Sequence, residues 1–252
     1  MARKPRVHYS GAYYHVMLRG NGGMKIFNDQ ADRTMLLNLV QESIFRYKYR
    51  IHAFCLMTNH VHFAIQVGDI PLSKIIQNIS FRFTRYINKR EKRIGHLFQG
   101  RYKALLVDAD SYLLKLIQYI HLNPRCANMV ANLSDYPWSS HLAYLGQVKI
   151  TWLTTQSVYS LLTQNNKQAI AAYQQLMLGQ TYDSPLNFAA SMKKSFPAIC
   201  DDGFMQQLVE LQKIDNRKGK LSLRKLVVSI CEYYAVKESD LHVRSQLHSR
   251  EA

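Results

Sequence analysis

Along the first half of the chain, the apolar positions switch between a period of two and a period of about 3.6. Ala12-Tyr13-Tyr14-His15-Val16-Met17-Leu18 predicts a strand, stopped by the turn cluster Gly20-Asn21-Gly22-Gly23. Residues 29–47 predict a helix, with Asp29 or Asp32 as its cap and Met35, Leu36, Leu39, Val40 and Ile44 at helical spacing. Two strands follow, 50–57 and 61–67, joined across Thr58-Asn59. Pro71 opens a second helix that carries Leu72, Ile75, Ile76, Ile79 and Phe83 on one face. Gly95 and Gly100 bracket a loop, and residues 104–107 predict a short strand. Ser111 is the expected cap of a helix running to about Leu122, which Pro124 should end, because the residue before a proline avoids helical geometry.

Strand, helix, strand, strand, helix, strand, helix is the order of an α+β domain. It predicts an antiparallel sheet with helices on one face, ferredoxin-like or RNA-recognition-like. From about Gly146 the character changes to mostly helical. Residues 155–177 and 204–214 read as helices with no strand between them, 215–220 as a basic linker, and 221–234 as another amphipathic helix. The expected division is 1–145, a helical extension 146–215, and a separate segment 221–252.

Charge narrows the class of partner. The 252 residues hold 33 Lys and Arg against 17 Asp and Glu, a net charge of +16. That excess points to a polyanion. Between Arg82 and Lys103 lie eight basic residues (Arg82, Arg85, Lys89, Arg90, Lys92, Arg93, Arg101, Lys103) and one acid, Glu91. Phe81, Phe83, Tyr86, Phe98 and Tyr102 are interleaved with them. Cations for phosphates and ring faces for unstacked bases are what single-strand binding requires. No apolar run is long enough to span a membrane and no hydrophobic signal segment follows Met1, so a cytoplasmic location without a membrane partner is expected. Cys55, Cys126, Cys200 and Cys231 lack zinc-type spacing and read as reduced thiols acting as small buried hydrophobes.

Candidate chemistry sits in Met57-Thr58-Asn59-His60-Val61-His62-Phe63-Ala64-Ile65. On a strand His60 and His62 share one face, roughly 6.5–7 Å apart at the backbone, so two imidazoles can converge on one ion. Alone, such a pair more often faces solvent than holds a metal. A second constellation strengthens it. Tyr119 and Asn123 are one helical turn apart on a common face, with Tyr112 and Lys115 extending the same stripe. A phenol with a pKa near 10 is a poor nucleophile unless an ion or cation stabilises its phenolate. Asn123 offers an amide oxygen as third ligand, and Lys115 a cation to lower the Tyr119 pKa or grip a phosphate. Tyr119 by itself is one of 16 tyrosines. His15, His52, His96 and His121 receive structural or surface roles.

These residues, in order, resemble the REP-associated tyrosine transposases, members of the HUH single-strand transposase group of the one-tyrosine type. The matching blocks are Tyr14-His15-Val16, Arg19-Gly20-Asn21, Met57-Thr58-Asn59-His60-Val61-His62, the run from Arg93 to Lys103, Tyr119-Ile120-His121-Leu122-Asn123-Pro124, and Tyr136-Pro137-Trp138-Ser139-Ser140. Thr58 stands where the family usually has Pro, and Arg125-Cys126 replaces the usual Val-Arg. The resemblance implies that residues 1–145 form a catalytic domain that cuts and rejoins single-stranded DNA at hairpins of palindromic repeats. It implies His60, His62 and Asn123 as ligands of Mg²⁺ or Mn²⁺, Tyr119 as nucleophile, a 5′-phosphotyrosine intermediate, and no small-molecule cofactor. Relatives act as monomers or as dimers. Residues 221–252 faintly resemble a truncated helix-turn-helix of replication initiators. Two other readings stay open: a non-catalytic nucleic-acid-binding regulator on the same fold, and a metal phosphodiesterase that uses water.

Overall fold

The computed structural model describes residues 8–179 and 198–199. The first strand, β1 (Tyr13–Arg19), ends where Gly20 leads into a single turn of 3-10 helix. Helix α1 (Gln30–Tyr47) is capped by Asp29, whose carboxylate accepts the Asp32 N–H at 3.1 Å. β2 (Arg50–Leu56) and β3 (His60–Gln66) form the expected hairpin. Helix α2 (Leu72–Arg90) starts after Pro71 and buries Ile75, Ile76, Ile79, Phe83 and Ile87 along one stripe. β4 (Lys103–Val107) and helix α3 (Ala109–Cys126) follow, then the short α4 (His141–Tyr144), α5 (Gln156–Leu162) and α6 (Ala169–Leu178), and the two-residue β5 (Ala198–Ile199).

The strands line up in the order β2-β3-β1-β4-β5, antiparallel among the first four, with β5 joining β4 in parallel. Cross-strand partners share a face. Met17 pairs with His62, Arg19 with His60, and Cys55 with His62, so these residues lie on one side of the sheet. α3 covers that side: Leu113, Leu116, Ile117 and Ile120 share one core with Ala53, Cys55, Ala64 and Val107. Val16, Leu18, Val61, Phe63 and Ile65 alternate to the opposite side and are fully buried. The crossover helices α1 and α2 pack against each other, and Phe27, just before α1, meets Phe83 of α2 with ring centroids 5.6 Å apart. The ferredoxin-like α+β frame is therefore present, and the third helix takes the histidine face.

Several boundaries differ from expectation. α3 begins at Ala109, before Ser111, and the Asp108 carbonyl accepts the Tyr112 N–H at 3.0 Å, which puts Asp108 at the cap position. Pro124 lies inside α3 instead of ending it. A proline removes one helical donor without preventing a last turn, and here Ala127 N–H still reaches the Asn123 carbonyl at 2.9 Å. The expected helix over 155–177 is broken into α5 and α6, because Asn165 caps a new turn by accepting the Lys167 N–H at 3.0 Å. β5 is a strand where none was expected. Cys55 is buried but Cys126 is exposed, against the reading of all four thiols as core residues. Cys200, Cys231, the helices expected over 204–214 and 221–234, and the segment 221–252 lie outside the described residues. Among the described residues, no helix is long and apolar enough to cross a membrane.

Candidate active site

His60 and His62 project from β3 toward α3, as the two-residue period requires, with ring centroids 4.9 Å apart and planes nearly perpendicular. Tyr119 meets them from α3. Its ring centroid is 5.5 Å from that of His62, edge to face. The sheet and the helix thus bring together two of the expected metal ligands and the expected nucleophile, which lie 57 residues apart between His62 and Tyr119.

Hydrogen bonds fix both imidazoles. Asn59 Nδ2 donates to the Gly23 carbonyl at 3.1 Å, which identifies the amide oxygen. That oxygen accepts from His60 Nδ1 at 2.7 Å. His60 therefore carries its proton on Nδ1 and presents the Nε2 lone pair. His62 Nδ1 lies 2.8 Å from His15 Nε2, with the two rings stacked at 5.1 Å. In each case an outer partner holds the Nδ1 side and Nε2 is the side that can meet an ion, the usual arrangement of metal-binding histidines. Burial keeps the rings uncharged. It lowers the pKa of His60 to about 4, helped by the Arg19 charge, and that of His62 well below its ordinary value, helped by His15 and His60. His15, wholly buried, is lowered to about 3 by desolvation. Neutral imidazole is the form that ligates a metal. The donor set fits a divalent ion.

Asn123 is one turn beyond Tyr119, and its Nδ2 donates to the Tyr119 carbonyl at 2.7 Å, which makes the amide oxygen the atom it could offer to an ion. Among the described residues, no group of three His, Cys, Asp or Glu converges on one point. Of the expected ligands, only Asn123 is of another residue type. Burial raises the Tyr119 phenol above its ordinary pKa, opposed by the Asn123 side chain. Lys115 is exposed, with its ammonium over the Tyr112 ring at 4.9 Å.

The basic segment divides. Arg90 binds Asp29 and, at 2.5 Å, Asp32 at the start of α1, and Arg82 binds Glu42 at 2.6 Å. Arg85 lies over the Phe81 ring at 5.7 Å. Arg93 Nη2 approaches the Met24 sulfur at 3.3 Å. Lys89, Lys92, Arg101 and Lys103 are exposed. Between α2 and the segment 96–102 lies a cavity of about 510 Å³, lined among others by Leu18, Gln77, Phe81, His96, Arg101 and Tyr102. Backbone bonds from Gln99 N–H to the Arg19 carbonyl (2.8 Å) and from Asn21 N–H to the Leu97 carbonyl (2.9 Å) tie that segment to the end of β1 beside His60.

Sequence reasoning left out His15, Arg19 and Asn59. Strand parity was the available signal for the first two, since both face the same way as His60 and His62 once β1 and β3 are paired. His52 is the extra residue of a β-bulge and bonds the Thr154 carbonyl at 3.1 Å and Gln66 Oε1 at 3.3 Å. His121 is buried, away from the imidazole pair.

Comparison with known proteins adds three findings. Residues 8–123 match the model of the family described as transposase, IS200 like. No curated protein matches. Among solved structures, a REP-associated tyrosine transposase bound to a REP hairpin aligns over 61% of this chain and 98% of its own, with 16% identity and a TM-score of 0.51. The two share a fold. A Deinococcus radiodurans protein assigned as a transposase (13% identity, 52% and 100% of the two chains) and the tRNA(His) guanylyltransferase of Saccharomyces cerevisiae (12%, 72% and 84%) align with TM-scores of 0.35 and 0.38, too loosely to bear on the fold.

Proposed function

We propose that this protein, whose residues 8–123 match the model of the IS200-like transposase family, cleaves and rejoins single-stranded DNA beside a hairpin, through a covalent bond to Tyr119. The meeting of Tyr119 with His62, centroids 5.5 Å apart across the α3–β3 interface, is the observation that supports this reading most. The phenol oxygen attacks the scissile phosphorus, the bond from phosphorus to the 3′-oxygen breaks, and the phenolic proton ends on the released 3′-OH. The product is a 5′-phosphotyrosine. Because the ester conserves the phosphodiester's bond energy, a 3′-OH can reverse the step and join strands without a nucleotide cofactor.

His60, His62 and Asn123 are the residues that would hold Mg²⁺ or Mn²⁺, and such an ion would stabilise the charge that builds on the non-bridging oxygens. Neutral imidazoles favour Mn²⁺ over Mg²⁺. His15 and Asn59 orient the two rings. Arg19, opposite His60 in register, adds a cation at the rim. Lys115 grips the scissile phosphate or lowers the Tyr119 pKa; Lys115→Ala should slow attack and alter its pH profile, and an unchanged rate and profile would exclude the role. The exposed Lys89, Lys92, Arg101 and Lys103 follow the strand's phosphates, and the cavity beside Phe81 and Tyr102 has the size and the ring faces to take an unstacked base. The hairpin preference is taken from the structural neighbour that is bound to a REP hairpin.

Labelled single-stranded hairpin DNA, incubated with the protein and Mn²⁺ or Mg²⁺, should yield a denaturation-resistant protein–DNA adduct that is lost in Tyr119→Phe. Cleavage without an adduct would instead identify a water-using phosphodiesterase. Binding without cleavage would identify a regulator.

A further inference from the structure

The side of α3 turned from the histidines is held by the helical extension, at the residues next to Tyr119. Gln118 Nε2 donates to the Leu176 carbonyl at 2.6 Å and lies 3.4 Å from the Gly179 carbonyl, so it binds the C-terminal end of α6. Three positions on, His121 Nδ1 lies 2.8 Å from the Tyr173 hydroxyl, in the middle of α6. The same hydroxyl lies 2.6 Å from His141 Nδ1, so it donates to one ring and accepts from the other. The second nitrogen of His121 lies 2.6 Å from Ser140 Oγ, and that oxygen accepts the Phe54 N–H of β2 at 2.9 Å. Tyr173 is fully buried and stacks on Tyr144, centroids 4.8 Å apart.

We infer that α6 is a brace for the nucleophile helix, with Gln118 and Tyr173 as positioning residues that set the azimuth and height of Tyr119 against His62. The inference rests on the Tyr119 reading above. The contacts are polar and directional where apolar packing alone would have buried the same surface. A helix on an apolar face can rotate or slide by small amounts at little cost. One tied by Gln118 to a helix end, and by His121 to α6 directly and to β2 through Ser140, resists both motions. Two of the tied residues flank Tyr119 in sequence, at positions 118 and 121. All the α6 partners lie beyond residue 123, outside the stretch that matches the transposase family. The extension thus supplies to this chain's own active site a support that the matched domain does not contain. In-line attack is sensitive to displacements of about 1 Å, which can cost about a hundredfold in rate.

Two substitutions remove the brace and leave the packing: Tyr173→Phe and Gln118→Leu. Tyr159→Phe is the matched control, because it deletes a hydroxyl in the same extension that donates to the Tyr144 carbonyl at 2.8 Å and, among the described residues, makes no hydrogen bond to α3. With full-length protein, hairpin DNA and Mn²⁺, the two brace variants should form adduct about tenfold to a hundredfold more slowly with unchanged DNA affinity, while the control keeps its rate. Amide hydrogen exchange should quicken in α3 for both variants and not for the control. Brace variants that match the control in rate and in α3 exchange would overturn the inference. If even the unaltered protein forms no adduct, the Tyr119 reading fails, and the exchange comparison still decides whether α6 braces α3.

Discussion

His15 Nε2 and His62 Nδ1, 2.8 Å apart and both buried, make one imidazole the orienting partner of another. Since each ring can serve as donor or acceptor, the pair sets which nitrogen of His62 is presented to an ion. His15→Ala should therefore raise the Mn²⁺ concentration needed for half-maximal adduct formation by about 10- to 100-fold, as loss of an outer partner typically does, with DNA affinity in the absence of metal unchanged. A metal titration of adduct yield measures it. Unchanged metal dependence would make His15 a packing residue only. The contrast with His60, His62 and Tyr119 explains what could be read from the chain. A His-x-His pair on a strand and a Tyr-x-x-x-Asn pair on a helix are local periodicities, visible in a few residues. His15 reaches the site only through the pairing of β1 with β3, and a single strand's pattern does not state its register. Asn59 is next to His60 in sequence, yet its role depends on the Gly23 carbonyl from a distant turn.

The turn after β1 sets how the element ends meet. Gly20 N–H bonds the Asn59 carbonyl at 2.8 Å, and a β-carbon at Gly20 would lie 2.1 Å from the Met24 carbonyl oxygen and 3.0 Å from Ile26 Cγ2. The backbone leaves no room there for a side chain. Gly20→Ala should cost about 1–3 kcal/mol, the usual range for overpacking, read from the midpoint of a denaturant titration. It should also loosen the His60 end of β3, because the displaced turn carries the Gly23 carbonyl that orients Asn59. Elements with strong periodicity were legible: β1, α1, the β2–β3 hairpin and α2 fall within a few residues of their expected bounds. Failures came where a single residue was asked to mark an end. Pro124 sits in the last turn of α3, two residues before its end, and costs the helix one donor there, yet the Ala127 N–H still closes a bond to the Asn123 carbonyl, so the helix runs through it. Ser111 was expected to cap α3, but the helix starts at Ala109, with the Asp108 carbonyl accepting its first bond. The side of the sheet that α3 covers was not readable at all, since an apolar stripe states that a face is buried and not against what.

At the scale of the whole molecule, the +16 charge is not one reagent. Arg90 is committed to Asp29 and to Asp32, which is wholly buried, and Arg82 to Glu42. The sequence showed a basic run and could not show which members already had anionic partners elsewhere in the fold. Two behaviours should separate. Arg90→Ala leaves a buried carboxylate without its cation, so its effect should be a lower thermal midpoint with little change in DNA binding per folded molecule. Arg101→Ala and Lys103→Ala, at exposed positions on and before β4, should leave the thermal midpoint nearly unchanged and act on DNA alone. Each phosphate contact to a single strand contributes about 0.7 to the slope of log affinity against log salt. The double variant Arg101→Ala/Lys103→Ala should therefore flatten that slope by about 1.4, in a salt titration of binding to hairpin DNA with a single-stranded flank. A slope that stays put would move the strand's path off β4, and a slope that flattens in Arg90→Ala instead would mean that DNA displaces the Asp29 and Asp32 carboxylates from their arginine.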